Sequence, residues 1–135
     1  MIYLDSNVFI YPAVYDQKSV KRASRAKSVL DRVVSGELEA STATVTWDEV
    51  SWVVRRFFGN ETALLQGRSF LNLPRLKLLT VDSEVILKAQ GLAERDGLKP
   101  RDAIHAAAAM RNGISELMSF DDDFDAVLGL TRIEP

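Results

Sequence analysis

The stretch Ile2-Tyr3-Leu4-Asp5-Ser6-Asn7 constrains the fold more than any other part of this chain. Three apolar residues run directly into a carboxylate, and the apolar pattern resumes at Val8. A short β-branched and aromatic run reads as a buried strand, and Asp-Ser-Asn reads as the turn into a helix. Asp5 is thereby expected at the carboxyl end of a strand, the place where open α/β sheets bind ligands. What that position can do depends on which other side chains converge on it.

The remaining residues alternate between helical and strand-like patterns. A short helix is expected to run to Tyr11, where Pro12 removes a backbone donor. A longer one spans Ser19 to Ser35, with Ala23, Ala26, Leu30 and Val33 forming its apolar face and Gly36 its C-terminal cap. Leu38 to Thr42 reads as a weak second strand. Helices follow over Thr46 to Phe58, closed by Gly59, and over Glu61 to Leu73, closed by Pro74. Leu76 to Val81 is a third strand, and Asp82 caps a helix over Ser83 to Asp96 that Gly97 ends. Pro100 opens a helix to Asn112 whose alanine-rich surface predicts burial on most sides. A strand over Ile114 to Phe120, a short helix over Asp121 to Val127 and a last strand over Thr131 to Ile133 complete the pattern. Strands alternating with helices predict an α/β fold with a parallel sheet covered on both faces. No linker or internal repeat interrupts the 135 residues, which are expected to form a single domain.

Composition narrows the chemistry. There are no cysteines, which excludes disulfides and thiolate metal sites, and His105 is the only histidine, which excludes multi-histidine zinc sites. No apolar run approaches the ~18 residues of a membrane span, and no basic leader precedes the first strand, so a cytoplasmic protein is expected. The net charge of -2 means that any nucleic-acid footprint has to be local.

Four acids occupy comparable positions: Asp5 after the first strand, Glu49 and Asp102 in the first turns of helices, and Asp121 after the fourth strand, beside Asp122, Asp123 and Asp125. Each alone is well explained as a helix cap. Asp5 and Asp121 suit N-cap positions, Thr46-Trp47-Asp48-Glu49 fits a capping box, and Asp102 suits the positive end of a helix dipole. As a set they point to more. If the first and fourth strands are neighbours, the four converge on one sheet edge, where carboxylates repel one another unless a cation neutralises them. All-oxygen ligands select Mg²⁺ or Mn²⁺, and magnesium shares phosphate oxygens with its substrates. Such a pocket suits phosphodiester hydrolysis with one ion, or with two ~4 Å apart.

The chain resembles the PIN-domain ribonucleases, and among them the VapC-type toxins of toxin–antitoxin pairs. The resemblance rests on Leu4-Asp5-Ser6-Asn7, on Glu49, on Arg101-Asp102-Ala103-Ile104-His105-Ala106-Ala107 and on Ser119-Phe120-Asp121-Asp122-Asp123-Phe124. It implies a three-layer α/β/α sandwich around a five-stranded parallel sheet of order 3-2-1-4-5. It implies Asp5, Glu49, Asp102 and Asp121 as metal-binding and catalytic acids, with Asp123 as an additional one and Asn7 and Ser119 as polar supports. The implied activity is Mg²⁺- or Mn²⁺-dependent cleavage of single-stranded RNA. The implied partners are a second copy of the chain and a small antitoxin protein.

Further residues carry bland readings beside functional ones. His105 lies three residues after Asp102, on roughly the same helical face; a packed, hydrogen-bonded histidine is the favoured reading over a proton shuttle. Lys18, Lys21, Arg22, Arg25 and Arg32 make the second helix basic on its polar side, with Lys21, Arg25 and Arg32 on one row; that face either tracks an RNA backbone or is simply solvated, and Arg101 is a further candidate RNA contact. Trp47, Trp52, Val53, Val54, Phe57 and Phe58, with Leu64, Leu65, Phe70, Leu71 and Leu73 on the next helix, exceed what one core face requires, which suggests an interface beside ordinary core packing. Rival functions are a phosphatase of the haloacid-dehalogenase kind, which wants an acid where Asn7 stands, and a receiver domain, which lacks its late lysine here. A non-catalytic RNA-binding module and a solitary RNA-processing nuclease also compete.

Overall fold

The computed structural model describes residues 1–135. Five strands form one parallel sheet: β1 (Ile2–Leu4), β2 (Ala40–Ala43), β3 (Leu76–Leu79), β4 (Glu116–Met118) and β5 (Thr131–Ile133). Their order is β3-β2-β1-β4-β5, as expected. The chain builds outward from β1 to β3, then returns and builds outward again through β4. That reversal makes β1 and β4 neighbours, with Tyr3 opposite Leu117 and Leu4 opposite Met118. Their carboxyl ends flank the crevice where such sheets bind ligands.

Six α-helices cover the sheet: α1 (Ser6–Val14), α2 (Lys21–Ser35), α3 (Val45–Phe58), α4 (Asn60–Leu71), α5 (Ser83–Asp96) and α6 (Pro100–Arg111). Side chains alternate across a strand, so β1 feeds both faces. Ile2 and Leu4 pack with Val8, Ala26, Val33, Val50 and Phe70, while Tyr3 packs with α5 and α6 through Leu92, Ala103, Ala106 and Ala107. Residues 105–109 of α6 are all buried, as the alanine pattern predicts. Small side chains there let the helix lie close to the sheet, and His105 meets the Tyr3 hydroxyl of β1 at 2.6 Å.

Several boundaries move. The second strand lies two residues later than its predicted start, and all four of its residues, Ala-Ser-Thr-Ala, are buried. Its composition hid it: a strand packed between close helix layers needs small residues, which carry little strand signal. The first helix passes through Pro12 to Val14, because the Tyr15 N–H bonds the Tyr11 carbonyl at 3.0 Å beyond the proline. On α2 the buried face uses Val29 with Ala23, Ala26 and Val33, and Leu30 is half-buried. Gly36 and Gly97 close α2 and α5 in the left-handed region, at φ 82° and 70°. No helix is long and apolar enough to cross a membrane.

Candidate functional site

Asp5 ends β1 and caps α1: its Oδ1 accepts the Ser6 N–H at 2.7 Å. The side chain that turns back to cap α1 also stands at the sheet edge. Its second oxygen accepts the Ser119 hydroxyl at 2.7 Å. Ser119, fully buried just after β4, in turn accepts from the Asn7 amide at 3.0 Å and from the Asp121 backbone N–H at 2.9 Å. Asn7 and Ser119 thus hold the ends of β1 and β4 together. Asp121 also caps the short 3-10 helix (Asp122–Ala126), accepting the Asp123 N–H at 2.9 Å.

Glu49 does not make the capping box that competed with its metal-binding reading. Helix α3 begins at Val45 after Thr44 and has no side-chain cap. Glu49 is one full turn inside and buried, with Oε2 accepting the Ser6 hydroxyl at 2.8 Å and Oε1 meeting His105 Nε2 at 2.5 Å. Thr46, the supposed capping partner, pairs with Thr42, whose hydroxyl lies 2.7 Å from the Leu4 carbonyl. The capping reading fails because the helix starts earlier than the Thr46 signal suggests.

Asp102, in the first turn of α6, meets the far end of the crevice. Carboxylate oxygens of Asp102, Asp121 and Asp123 lie within 4.8 Å of one another. A cleft of about 390 Å³ opens there, lined by Glu49, Lys99, Pro100, Arg101, Asp102 and Asp121. Lys99 Nζ approaches Asp123 at 3.9 Å across its rim.

The electrostatics follow from this crowding. Asp102 is pushed up to about 6, first by burial and then by the charges of Asp5 and Asp121. Asp5 is also raised, chiefly by burial, which outweighs its bonds to Ser119 and Ser6 and the neighbouring His105. Burial pushes Glu49 up too, but the His105 hydrogen bond and charge prevail and hold its carboxyl below the ordinary range. Burial opposes protonation of His105, yet its bond to Glu49 and the charges of Asp5, Glu49 and Asp102 raise it.

The chain matches the family model described as PIN domain over residues 2–130. It belongs to the PIN-domain family. Solved structures repeat this PIN fold. The VapC20 toxin of Mycobacterium tuberculosis, a sarcin–ricin-loop-cleaving toxin, superposes with a TM-score of 0.73 at 18% identity, covering 93% of this chain and 94% of that one. A chain of VapBC2 from Rickettsia felis, solved with a promoter DNA fragment, gives 0.72 at 18% identity and covers 99% and 98%. A toxin–antitoxin complex from Klebsiella pneumoniae gives 0.66 at 21% identity over 97% and 96%. No curated protein sequence matches the chain significantly.

Of the basic residues singled out in the sequence, Arg101 lines the PIN-domain cleft, while Lys21 and Arg25 lie exposed on α2. Arg22, on the same basic helix, is exposed too, but nothing in the sequence pointed to its contacts. Its guanidinium donates to the Tyr11 hydroxyl at 3.1 Å and stands 5.3 Å from the centroid of the Phe120 ring, the residue just before Asp121. Sequence reasoning missed Tyr3 and Ser6 as partners of the acids. The Tyr3-x-Asp5 alternation, which sends both side chains to one face, was the signal that could have found Tyr3.

Proposed function

We propose that this chain is a metal-dependent endoribonuclease that hydrolyses phosphodiester bonds of single-stranded RNA, and that it is the cytoplasmic toxin of a toxin–antitoxin pair. The observation carrying the proposal is the convergence of Asp102, Asp121 and Asp123 within 4.8 Å in the cleft of a PIN domain. The donors fit a hard divalent cation: all are carboxylate oxygens, and burial, with the charges of Asp5 and Asp121 added to it, already drives Asp102 up to about 6. Asp5, Glu49, Asp102 and Asp121 would hold Mg²⁺ or Mn²⁺, one ion or two, with Asp123 as a further ligand. When bound, the cation activates water and neutralises the phosphate.

The rest is the work of side chains. Asn7 and Ser119 keep Asp5 from rotating and tie it to Asp121. Arg101 faces the cleft closely enough to lower Glu49 and is placed to bind a phosphate beside the scissile one. Lys21 and Arg25 extend the backbone contact along α2. None of Lys18, Lys21, Arg22 and Arg25 sits in an ion pair, whereas Lys27 and Arg32 on the same helix pair with Asp31 and Glu37. An unneutralised stretch of four cations within eight residues supports an anionic partner there.

The toxin reading is favoured over a solitary nuclease by the apolar surface of α3 and α4. Trp52, Phe57, Leu64, Leu65 and Leu71 are each more than half exposed, beside a groove of about 420 Å³ between the two helices. Such a patch suits a second copy of the chain and an antitoxin segment. The deciding experiment is cleavage of a mixed single-stranded RNA pool in Mg²⁺, in Mn²⁺ and in EDTA, with Asp102→Asn alongside. Cutting that vanishes in EDTA and in the variant is the expected result. Equal cutting by Asp102→Asn would overturn the assignment of the acids.

A further inference from the structure

We propose that Tyr3 and His105 are positioning residues that hold the Glu49 carboxylate in its working orientation. The proposal rests on the metal-dependent reading above and concerns two buried groups that reading leaves unused.

With His105 neutral, the hydrogen bonds run in one direction. The Ala43 N–H of β2 donates to the Tyr3 phenolic oxygen at 3.0 Å. That bond orients the phenolic oxygen, and toward a neutral ring the Tyr3 O–H donates to His105 Nδ1, 2.6 Å away. An imidazole that accepts at Nδ1 carries its proton on Nε2, and Nε2 faces Glu49 Oε1 at 2.5 Å. The sheet backbone therefore sets the tyrosine rotor, the tyrosine sets the histidine tautomer, and the histidine sets one oxygen of Glu49. The Ser6 hydroxyl, at 2.8 Å, sets the second oxygen.

Glu49 needs such restraint. It is a flexible side chain that shares its cleft with Asp102 and Asp121 and lies close enough to Asp5 to raise that residue. Unrestrained, it would swing away from the rest of the acids. His105 also approaches Asp5 Oδ1 at 3.5 Å, so the same ring lies between the two buried carboxylates. Tyr3 and His105 are both fully buried, but the chain they form does not close on inert core groups. It ends on an acid that lines the cleft. Hydrogen-bonded partners of metal-binding groups tune affinity in this way.

The test is a double-mutant cycle on the full-length protein, read by Mn²⁺ calorimetry and single-turnover RNA cleavage. Tyr3→Phe keeps the ring in the core and removes only the hydroxyl. It is expected to weaken Mn²⁺ binding or slow cleavage by roughly 10-fold or more while retaining a cooperative thermal transition. In a Glu49→Gln background the same change should have less than about a 2-fold effect, because its target is gone. Equal losses in both backgrounds, or no loss in either, would overturn the proposal. A second measurement needs no variant. His105 is the only histidine, so its imidazole nitrogens are assigned unambiguously by long-range proton–nitrogen NMR at alkaline pH. The Nε2-protonated tautomer is expected; the Nδ1-protonated tautomer would refute the direction of the chain. Failure of the metal reading itself would show separately, as Mn²⁺ binding by the wild type that Asp102→Asn does not change, or as no binding at all.

Discussion

At the scale of single residues, the acids of the cleft trade stability for charge density. Asp102 is the clearest case, since its carboxyl is raised to about 6 by burial and by Asp5 and Asp121. Its unfolded value is about 3.9. The ionised form is therefore disfavoured in the folded protein, and the cost is complete above pH 6 and absent below pH 4. Asp102→Asn should remove it. In EDTA at pH 7.5 the variant should unfold at a higher temperature than the wild type, by about 1 kcal/mol of stability, a modest figure because Asp102 is only half-buried. Thermal scans across pH should show this advantage shrinking as pH falls through 6 toward 4. An advantage independent of pH would mean that the carboxylate is not crowded. Protons and cation compete for the same oxygens, so Mn²⁺ affinity of the wild type should fall as pH drops below about 6, as followed by calorimetry.

Individual elements carry the next set of expectations. Helix α2 has two electrostatic halves: unpaired Lys18 to Arg25 at and just before its start, and internally paired Lys27 and Arg32 further along. Lys21→Gln combined with Arg25→Gln should weaken binding of single-stranded RNA to a non-cleaving Asp102→Asn protein. It should also reduce the salt slope of that binding by about one to two, near 0.7 for each phosphate no longer neutralised. An unchanged slope in filter-binding assays would make this helix face merely solvated. Helix α6 shows how element and site are coupled. Asp102 and His105, three residues apart on one face, reach the cleft and the sheet interior together because the alanines between the core layers let α6 sit close. Ala106→Leu should push α6 outward and cost about 1–3 kcal/mol by overpacking, read by denaturant unfolding.

For the whole molecule, the parallel sheet with β1 at its centre brings into one crevice residues separated by more than a hundred positions, as in the Ser119–Asp5 bond. The opposite consequence is the apolar surface that this fold leaves on α3 and α4. Leu64→Glu with Leu65→Glu, both about two-thirds exposed, should leave the fold intact. Sedimentation should show loss of self-association or of antitoxin capture, and unchanged assembly would mean that this face is not the contact.

The sequence alone determined the order of the elements, the α/β class and the edge on which Asp5 would stand, because hydrophobic period and capping chemistry are local properties. It also placed Asp102 and Asp121 at helix starts for the same reason, and the resemblance of their motifs to PIN domains pointed to the sheet order. It offered a capping box at Glu49 that does not form, beside the metal-binding reading, and it started β2 two residues early, because small buried residues and a helix start without a side-chain cap leave little local trace. Only the tertiary structure decided which side chains the acids would meet. Tyr3, Ser6, Glu49 and His105 come from β1, α1, α3 and α6, and their hydrogen bonds exist only once the helices close on the sheet. A bond across 102 residues, such as Tyr3 to His105, has no periodic signature. It is set by the distance at which an alanine-faced helix packs on a strand, which is a property of the assembled layers.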